Sequence, residues 1–311
     1  MLLTKAGPLY SGLKSGKPVC RPEVADDVAV ERVDRLLLGA DVRANVFVPI
    51  MRKGLSAGFL VLGSVKADGL SRESVATAVS FASRMGIALE HSRLIHNLEE
   101  MSVNIIHALA TAIDAKSPWT KGHSERVAHY SMYIAERMGL DAQLVERLRL
   151  AGLLHDIGKI GTYDMLLDKT GKLTDDEVEL IKQHPDRGCE ILAPIKEFRD
   201  ILPAVRHHHE RWDGLGYPSG LRAEEIPLDA RILCVADSFD TMTANRPYRP
   251  AIGIENAIQE LLYCSGTQFC PEVVSVFLDI LKDGGPRLAK INAGAVIPVG
   301  HAFPVQQDYQ L

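Results

Sequence analysis

Seven of the chain's eleven histidines crowd into one stretch, His123, His129, His155, His184, His207, His208 and His209, and His155 is followed directly by Asp156. Imidazole offers a neutral, directional lone pair and carboxylate supplies charge. Mixed His/Asp sets therefore suit Fe, Mn, Zn or Ni, whereas Ca and Mg prefer all-oxygen sites. Adjacent His and Asp near a helix end let the carboxylate bridge two ions while the imidazole fixes one of them. Two ions about 3.5–4 Å apart can share a hydroxide and clamp a phosphoryl oxygen, which is what phosphodiester hydrolysis needs. A single His-Asp pair says little, since most such pairs are surface or capping residues. Its surroundings say more: Leu153-Leu154-His155-Asp156-Ile157-Gly158-Lys159 places the pair after an apolar stretch, with Gly158 allowing close approach and Lys159 one helical turn past His155.

These side chains need a helical scaffold, and the apolar spacing supplies one. After Pro118, helices are predicted near 122–138, 141–156, 175–184, 187–193, 198–210, 229–244 and 254–282, with Thr174-Asp-Asp-Glu177 a capping box opening the third. Asp213 to Pro227 is a Gly- and Pro-rich loop between helices. Upstream, apolar residues from Val75 to Ile113 recur every three to four positions with no breaker except Gly86. This predicts one long helix, or two nearly continuous ones, suited to a parallel dimeric coiled coil or to packing on its own chain. Before it, Asn45–Met51 and Gly58–Val65 form a strand–turn–strand signal connected by Arg52–Ala57.

Composition sets the outer limits. At 311 residues the chain has room for about two domains. A net charge of −5 argues against coating a nucleic-acid polymer, although one small phosphorylated ligand needs only a few local cations. No apolar window reaches membrane-spanning length, and the start MLLTKAGPLY lacks the apolar core of a secretory signal. Five scattered cysteines, Cys20, Cys189, Cys234, Cys264 and Cys270, without a CxxC pair, read as reduced thiols. A cytoplasmic protein is expected.

Six motifs in order, Gly122-His123-Ser-Glu-Arg-Val, His155-Asp156-Ile-Gly-Lys159, His184-Pro, His208-His209-Glu-Arg-Trp-Asp-Gly-Leu-Gly216-Tyr217-Pro218, Ala236-Asp237-Ser-Phe-Asp and Arg246-Pro-Tyr-Arg249, resemble the HD-GYP family of cyclic di-GMP phosphodiesterases over about residues 100–282. The resemblance implies a mainly α fold: an all-helical HD-GYP domain at 118–283, a helical linker at 96–117 and a tail at 284–311. It implies a first metal on His123, His155, Asp156 and Asp237, and a second on Asp156 (bridging), His184, His208 and His209. Lys159, Arg246 and Arg249 would meet the phosphates, with Asp156 and Lys159 the catalytic pair. The Gly216-Tyr217-Pro218 loop would shape the nucleotide pocket through Tyr217 and could engage signalling partners. Two divalent ions, Fe or Mn first and Ni or Zn next, would support hydrolysis of cyclic di-GMP to pGpG, and some relatives continue to GMP. Other members carry a Glu four residues before the first histidine that supports a third metal. Trp119 stands there in this chain and cannot ligate, so a two-metal site is expected. A non-catalytic nucleotide-sensing adaptor, or a hydrolase of cyclic GMP-AMP, fits the same motifs.

The remaining candidates have plainer readings. His129, six residues past His123, points to the other side of its helix. His207 falls outside the family register. His91, His96 and His107 are solvated or interface residues of the long helix. Asp213 and Asp240 read as loop and helix supports, Asp240 able to orient a ligand, and Arg126 as a helix-surface ion pair. Relatives commonly have Asp where this chain has Cys270. Residues 1–95 resemble the later half of a GAF sensor, on Gly16-Lys-Pro-Val, Asn45–Ile50, Gly58–Leu62 and Ile87–Leu94. That resemblance implies a small α/β segment, and the long helix a homodimer.

Overall fold

The computed structural model describes residues 15–21, 41–116, 120–161, 174–245 and 251–283. The chain divides into two units between Glu100 and Met101. In the first, strands β1 (Val19–Arg21), β2 (Ala44–Arg52) and β3 (Leu55–Ser64) form an antiparallel sheet in the order β1-β2-β3. The strands run further than the sequence pattern suggested, and the six-residue connection contracts to Lys53-Gly54. Both residues take positive φ, 48° and 78°, the left-handed pair that matches the twist of a two-residue hairpin. Val46, Val48 and Ile50 alternate onto one sheet face and bury against Ala78 and Ala82 of helix α1 (Arg72–Asp114). α1 is one uninterrupted helix of 43 residues. All of residues 91–98 are exposed.

The second unit is helical: α2 (His123–Arg137), α3 (Ala142–Leu154), a 3-10 turn at Ile157–Gly161, α4 (Asp175–Lys182), α5 (His184–Leu192), a 3-10 turn at Lys196–Ile201, α6 (Leu202–His207), α7 (Leu228–Thr243), α8 (Ile254–Tyr263) and α9 (Pro271–Lys282). One core joins them. Tyr130 of α2 meets Phe239 of α7 and Phe277 of α9 edge-on at 5.4 and 5.8 Å between ring centres. The Thr174 capping box forms as predicted, its hydroxyl accepting from the Glu177 amide and the Glu177 carboxylate from the Thr174 amide. The single helix expected over 254–282 is instead two, because the chain turns through Cys264–Cys270 and restarts with Pro271 in the first turn of α9. Among the described residues, no helix is long and apolar enough to cross a membrane.

Candidate metal centre

Four segment ends and the middle of one helix converge on one point. His123 opens α2, His155 and Asp156 follow the end of α3, His184 opens α5, His208 and His209 follow α6, and Asp237 lies on α7. Leu153 and Leu154 are buried, as the apolar run before the His-Asp pair required. Gly158 lets the turn after that pair lie against α5, since a Cβ there would overlap the His184 carbonyl and sit 2.6 Å from the Gly188 nitrogen.

The seven side chains singled out as ligands come together, in three overlapping groups whose donor atoms lie within 4.8 Å of one another. These groups are His123/His155/Asp237, His155/Asp156/His208 and His184/His208/His209. Asp156 stands between the two halves. Its Oδ2 is 3.4 Å from His155 Nε2 and 3.8 Å from His123 Nε2, while its Oδ1 is 3.4 Å from His184 Nε2. Lys159 Nζ donates to Asp156 Oδ2 at 2.5 Å. The charges around it, Lys159 foremost, outweigh burial and hold the Asp156 carboxyl well below the usual carboxylate range.

The orientation of the imidazoles is fixed by the backbone. His155, His184 and His208 place Nδ1 2.8, 2.8 and 2.7 Å from the carbonyls of Gly152, Ile181 and Val205, each three residues earlier. A carbonyl can only accept, so each Nδ1 carries the proton and each Nε2 presents a lone pair inward. His123 Nδ1 is 2.7 Å from Asp240 Oδ2, and Arg126 donates to both oxygens of that carboxylate at 2.6 and 3.0 Å. A histidine oriented by a carboxylate behind it is the usual support of a metal ligand. Arg126 is thus an ion pair as expected, but its partner is the buried Asp240 that orients His123.

Two features test whether these residues suit cations. His184 Nε2 and His208 Nε2 face each other at 3.3 Å, two lone pairs that repel unless a cation or proton lies between them. Burial holds His184 neutral, its pKa lowered to about 4, and burial together with His209 holds His208 well below the ordinary range. In addition, His155 Nε2 and Asp156 Oδ1 are buried without a hydrogen-bond partner. Buried, inward-facing lone pairs of N and O type fit divalent transition metals.

The loop after His209 folds back on the site. Tyr217 stacks on His209 with ring centres 4.9 Å apart, and its amide donates to the His209 carbonyl at 3.2 Å. Glu210 is the residue the sequence motifs contained but did not single out. Its buried carboxylate accepts from the Ser219 amide at 2.7 Å and so pins the loop. His207 lies outside the three ligand groups, its Nδ1 3.5 Å from Glu210. His129 is half-buried, and burial lowers its pKa. On α1, His91 is exposed, His96 lies beside Glu99 and Glu100, and His107 Nδ1 is 3.4 Å from Glu125. Asp213 pairs with Arg211. Arg246, Arg249, Trp119 and the tail at 284–311 lie outside the described residues.

The HD domain family matches residues 107–273. A cyclic di-GMP phosphodiesterase of Thermotoga maritima is 41% identical over 189 residues, 60% of this chain and 51% of that protein. The cyclic di-GMP phosphodiesterase response regulator RpfG of Xanthomonas campestris is 40% identical over 186 residues, 59% of this chain and 49% of that protein. A 3'3'-cGAMP-specific phosphodiesterase of Vibrio cholerae is 40% identical over 183 residues, 58% of this chain and 40% of that protein. The aligned part of this chain spans about half the length of these relatives or less.

Proposed function

This chain belongs to the HD domain family, and from that premise we propose that it is a metal-dependent phosphodiesterase that hydrolyses cyclic di-GMP to pGpG. The observation that carries the reading is the placement of Asp156, one oxygen toward His123 and His155 and the other toward His184. In this reading His123, His155, Asp156 and Asp237 hold one ion, and Asp156, His184, His208 and His209 hold the second. Two divalent ions, iron or manganese, would activate water at neutral pH and polarise the scissile phosphoryl group.

The chain's own residues supply the rest. The backbone-locked imidazoles keep their Nε2 lone pairs aimed inward without reorganisation during the reaction. Lys159, partly exposed beside Asp156, turns its ammonium to a non-bridging phosphate oxygen as charge develops there. Water's oxygen bonds to phosphorus as the P–O3′ bond breaks, and one of the two water protons ends on the departing 3′-oxygen. Arg246 and Arg249 bind the phosphates, and the Tyr217 loop walls the nucleotide pocket. With Trp119 in place of a glutamate, two metals rather than three are proposed.

The first 95 residues form a partial GAF-like sensor in this proposal, and α1 pairs with its counterpart in a parallel homodimer. The support is the exposed stripe of Ile87, Leu94, Leu98, Met101 and Ile105, at coiled-coil spacing on a helix that is exposed on all sides over 91–98. A cytoplasmic location accords with this chemistry. The decisive experiment incubates anaerobically prepared, Mn2+-loaded protein with cyclic di-GMP and, separately, cyclic GMP-AMP, and resolves the products by chromatography. The expected result is pGpG from cyclic di-GMP, abolished in Asp156→Ala. Faster turnover of cyclic GMP-AMP would reassign the substrate. No product from either, with Asp156→Ala binding nucleotide as well as the parent, would make the protein a sensor instead.

A further inference from the structure

Two polar residues at the end of α1 reach both limbs of the metal centre. Lys116 Nζ donates to the carbonyls of Lys159 and Ile160, each at 3.0 Å. Those carbonyls belong to the 3-10 turn Ile157–Gly161, whose last acceptors have no partner within so short a turn, and a cation is the favourable cap there. The same turn carries Lys159, and Asp156 immediately precedes it. On the other side, Asp114 Oδ1 accepts from Ser124 Oγ at 2.7 Å, and both of its oxygens lie 3.4 Å from the Ser124 amide. The Asp114 carbonyl accepts from Thr120 Oγ1 at 2.6 Å, and the Thr120 carbonyl from the His123 amide at 2.9 Å. Asp114 is buried, so this grip is shielded from competing water.

We propose that Asp114 and Lys116 are positioning residues of the metal centre: through Ser124 and Thr120 the first holds the limb bearing His123, and through the carbonyls of Lys159 and Ile160 the second holds the limb bearing Asp156 and Lys159. Neither residue touches the converging donor atoms. Lys116 acts on backbone carbonyls 43 and 44 residues away, and Asp114 acts chiefly through the hydroxyls of Ser124 and Thr120. A displacement of the last turn of α1 is thereby felt on both sides of Asp156.

The proposal rests on reading the cluster as a metal-holding hydrolytic site, so its test uses measurements with and without substrate. The full chain is compared with Lys116→Met, Lys116→Arg, Asp114→Asn and Ser124→Ala for amide hydrogen exchange, Mn2+ affinity, Tm, and kcat and KM on cyclic di-GMP. Lys116→Met should exchange about tenfold faster over 157–161 and lose about tenfold in kcat with KM and Tm near the parent, and Lys116→Arg should restore both. Asp114→Asn and Ser124→Ala should bind Mn2+ about tenfold more weakly and exchange faster over 123–126, leaving 157–161 unchanged. Ser124→Ala removes the same contact from the other partner, so one misfolded variant does not remove the test. Parental exchange and Mn2+ affinity in these variants, or an equal loss in Lys116→Met and Lys116→Arg, would overturn the proposal. If the parent leaves cyclic di-GMP intact, exchange and Mn2+ affinity still decide, and only the substrate reading falls.

Discussion

The phenol ring of Tyr217 lies 28° from parallel to the imidazole of His209, ring centres 4.9 Å apart. A residue proposed to line the nucleotide pocket thus also backs a proposed metal ligand, and the two roles separate by substitution. Tyr217→Phe keeps the stacked ring and should leave Mn2+ affinity within about twofold of the parent, whereas Tyr217→Ala should cost about tenfold. Calorimetric Mn2+ titration measures both. Equal affinity in Tyr217→Ala would show that the stack orients nothing.

Asp237 and Asp240 together set the charge state of His123. Burial alone would lower the His123 pKa, but the hydrogen bonds that its ring donates to the Asp237 and Asp240 carboxylates outweigh it and raise the pKa to about 9. At pH 7 the metal-free imidazole is therefore protonated, and Mn2+ must displace that proton. Titrations in buffers of different ionisation enthalpy should show proton release from the parent and less from Asp240→Asn. The same variant should lose roughly 10–100-fold in kcat, as for other carboxylates behind a metal-binding histidine.

The neighbouring imidazoles predict an acid limit for the metal-free fold. Burial lowers His184 to about 4 and His209 to about 3, and burial with His209 holds His208 far below its usual range. Between about pH 4 and 6.5 the unfolded chain binds protons on these residues that the native chain does not, so stability rises with pH across that window. His123 runs the other way: its contribution is full below about 6.5 and is lost as pH rises toward 9. Urea unfolding of chelator-treated protein should peak near pH 6.5, with the steeper decline on the acid side. A flat curve from pH 4 to 6.5 would contradict this.

Gly158→Ala tests the close approach of the Ile157–Gly161 turn to α5. The added methyl would meet backbone at His184 and Gly188 rather than a side chain that can turn aside. A loss of about 1–3 kcal/mol in unfolding free energy is expected, together with weaker Mn2+ binding as His184 shifts. An unchanged urea midpoint would show that the two segments separate freely.

Cys270 offers a gain instead. It is the N-cap of α9 and makes no side-chain cap there, and its sulfur is 3.9 Å from Arg231 Nη1. Arg231 Nε is buried without an acceptor. Cys270→Asp would cap the helix and face that guanidinium, and should stabilise by about 1 kcal/mol. Thermal unfolding at neutral pH measures it, and a lower Tm would mean that carboxylate desolvation dominates.

The candidate ligands could be picked out in the sequence because part of their pattern is local, and the rest came from the family resemblance. His155-Asp156 and His208-His209 are adjacent pairs, and each Nδ1 lock on His155, His184 and His208 reaches back only three residues. The long helix and the Thr174 capping box follow equally from short-range spacing. The hairpin turn was drawn too wide and the break at Cys264–Cys270 was missed, because neighbouring residues tolerate several turn positions and cross-strand pairing or core packing selects one. What the amino-acid sequence determined was which groups could bind metal and which elements carry them. Tertiary structure alone decided that Asp156 stands between two sets of donors, that Tyr217 backs His209, that Asp240 orients His123 from 117 residues away, and that Lys116 caps the turn bearing Lys159. Those relations depend on where independently formed helices come to rest, and short-range spacing carries no record of that distance.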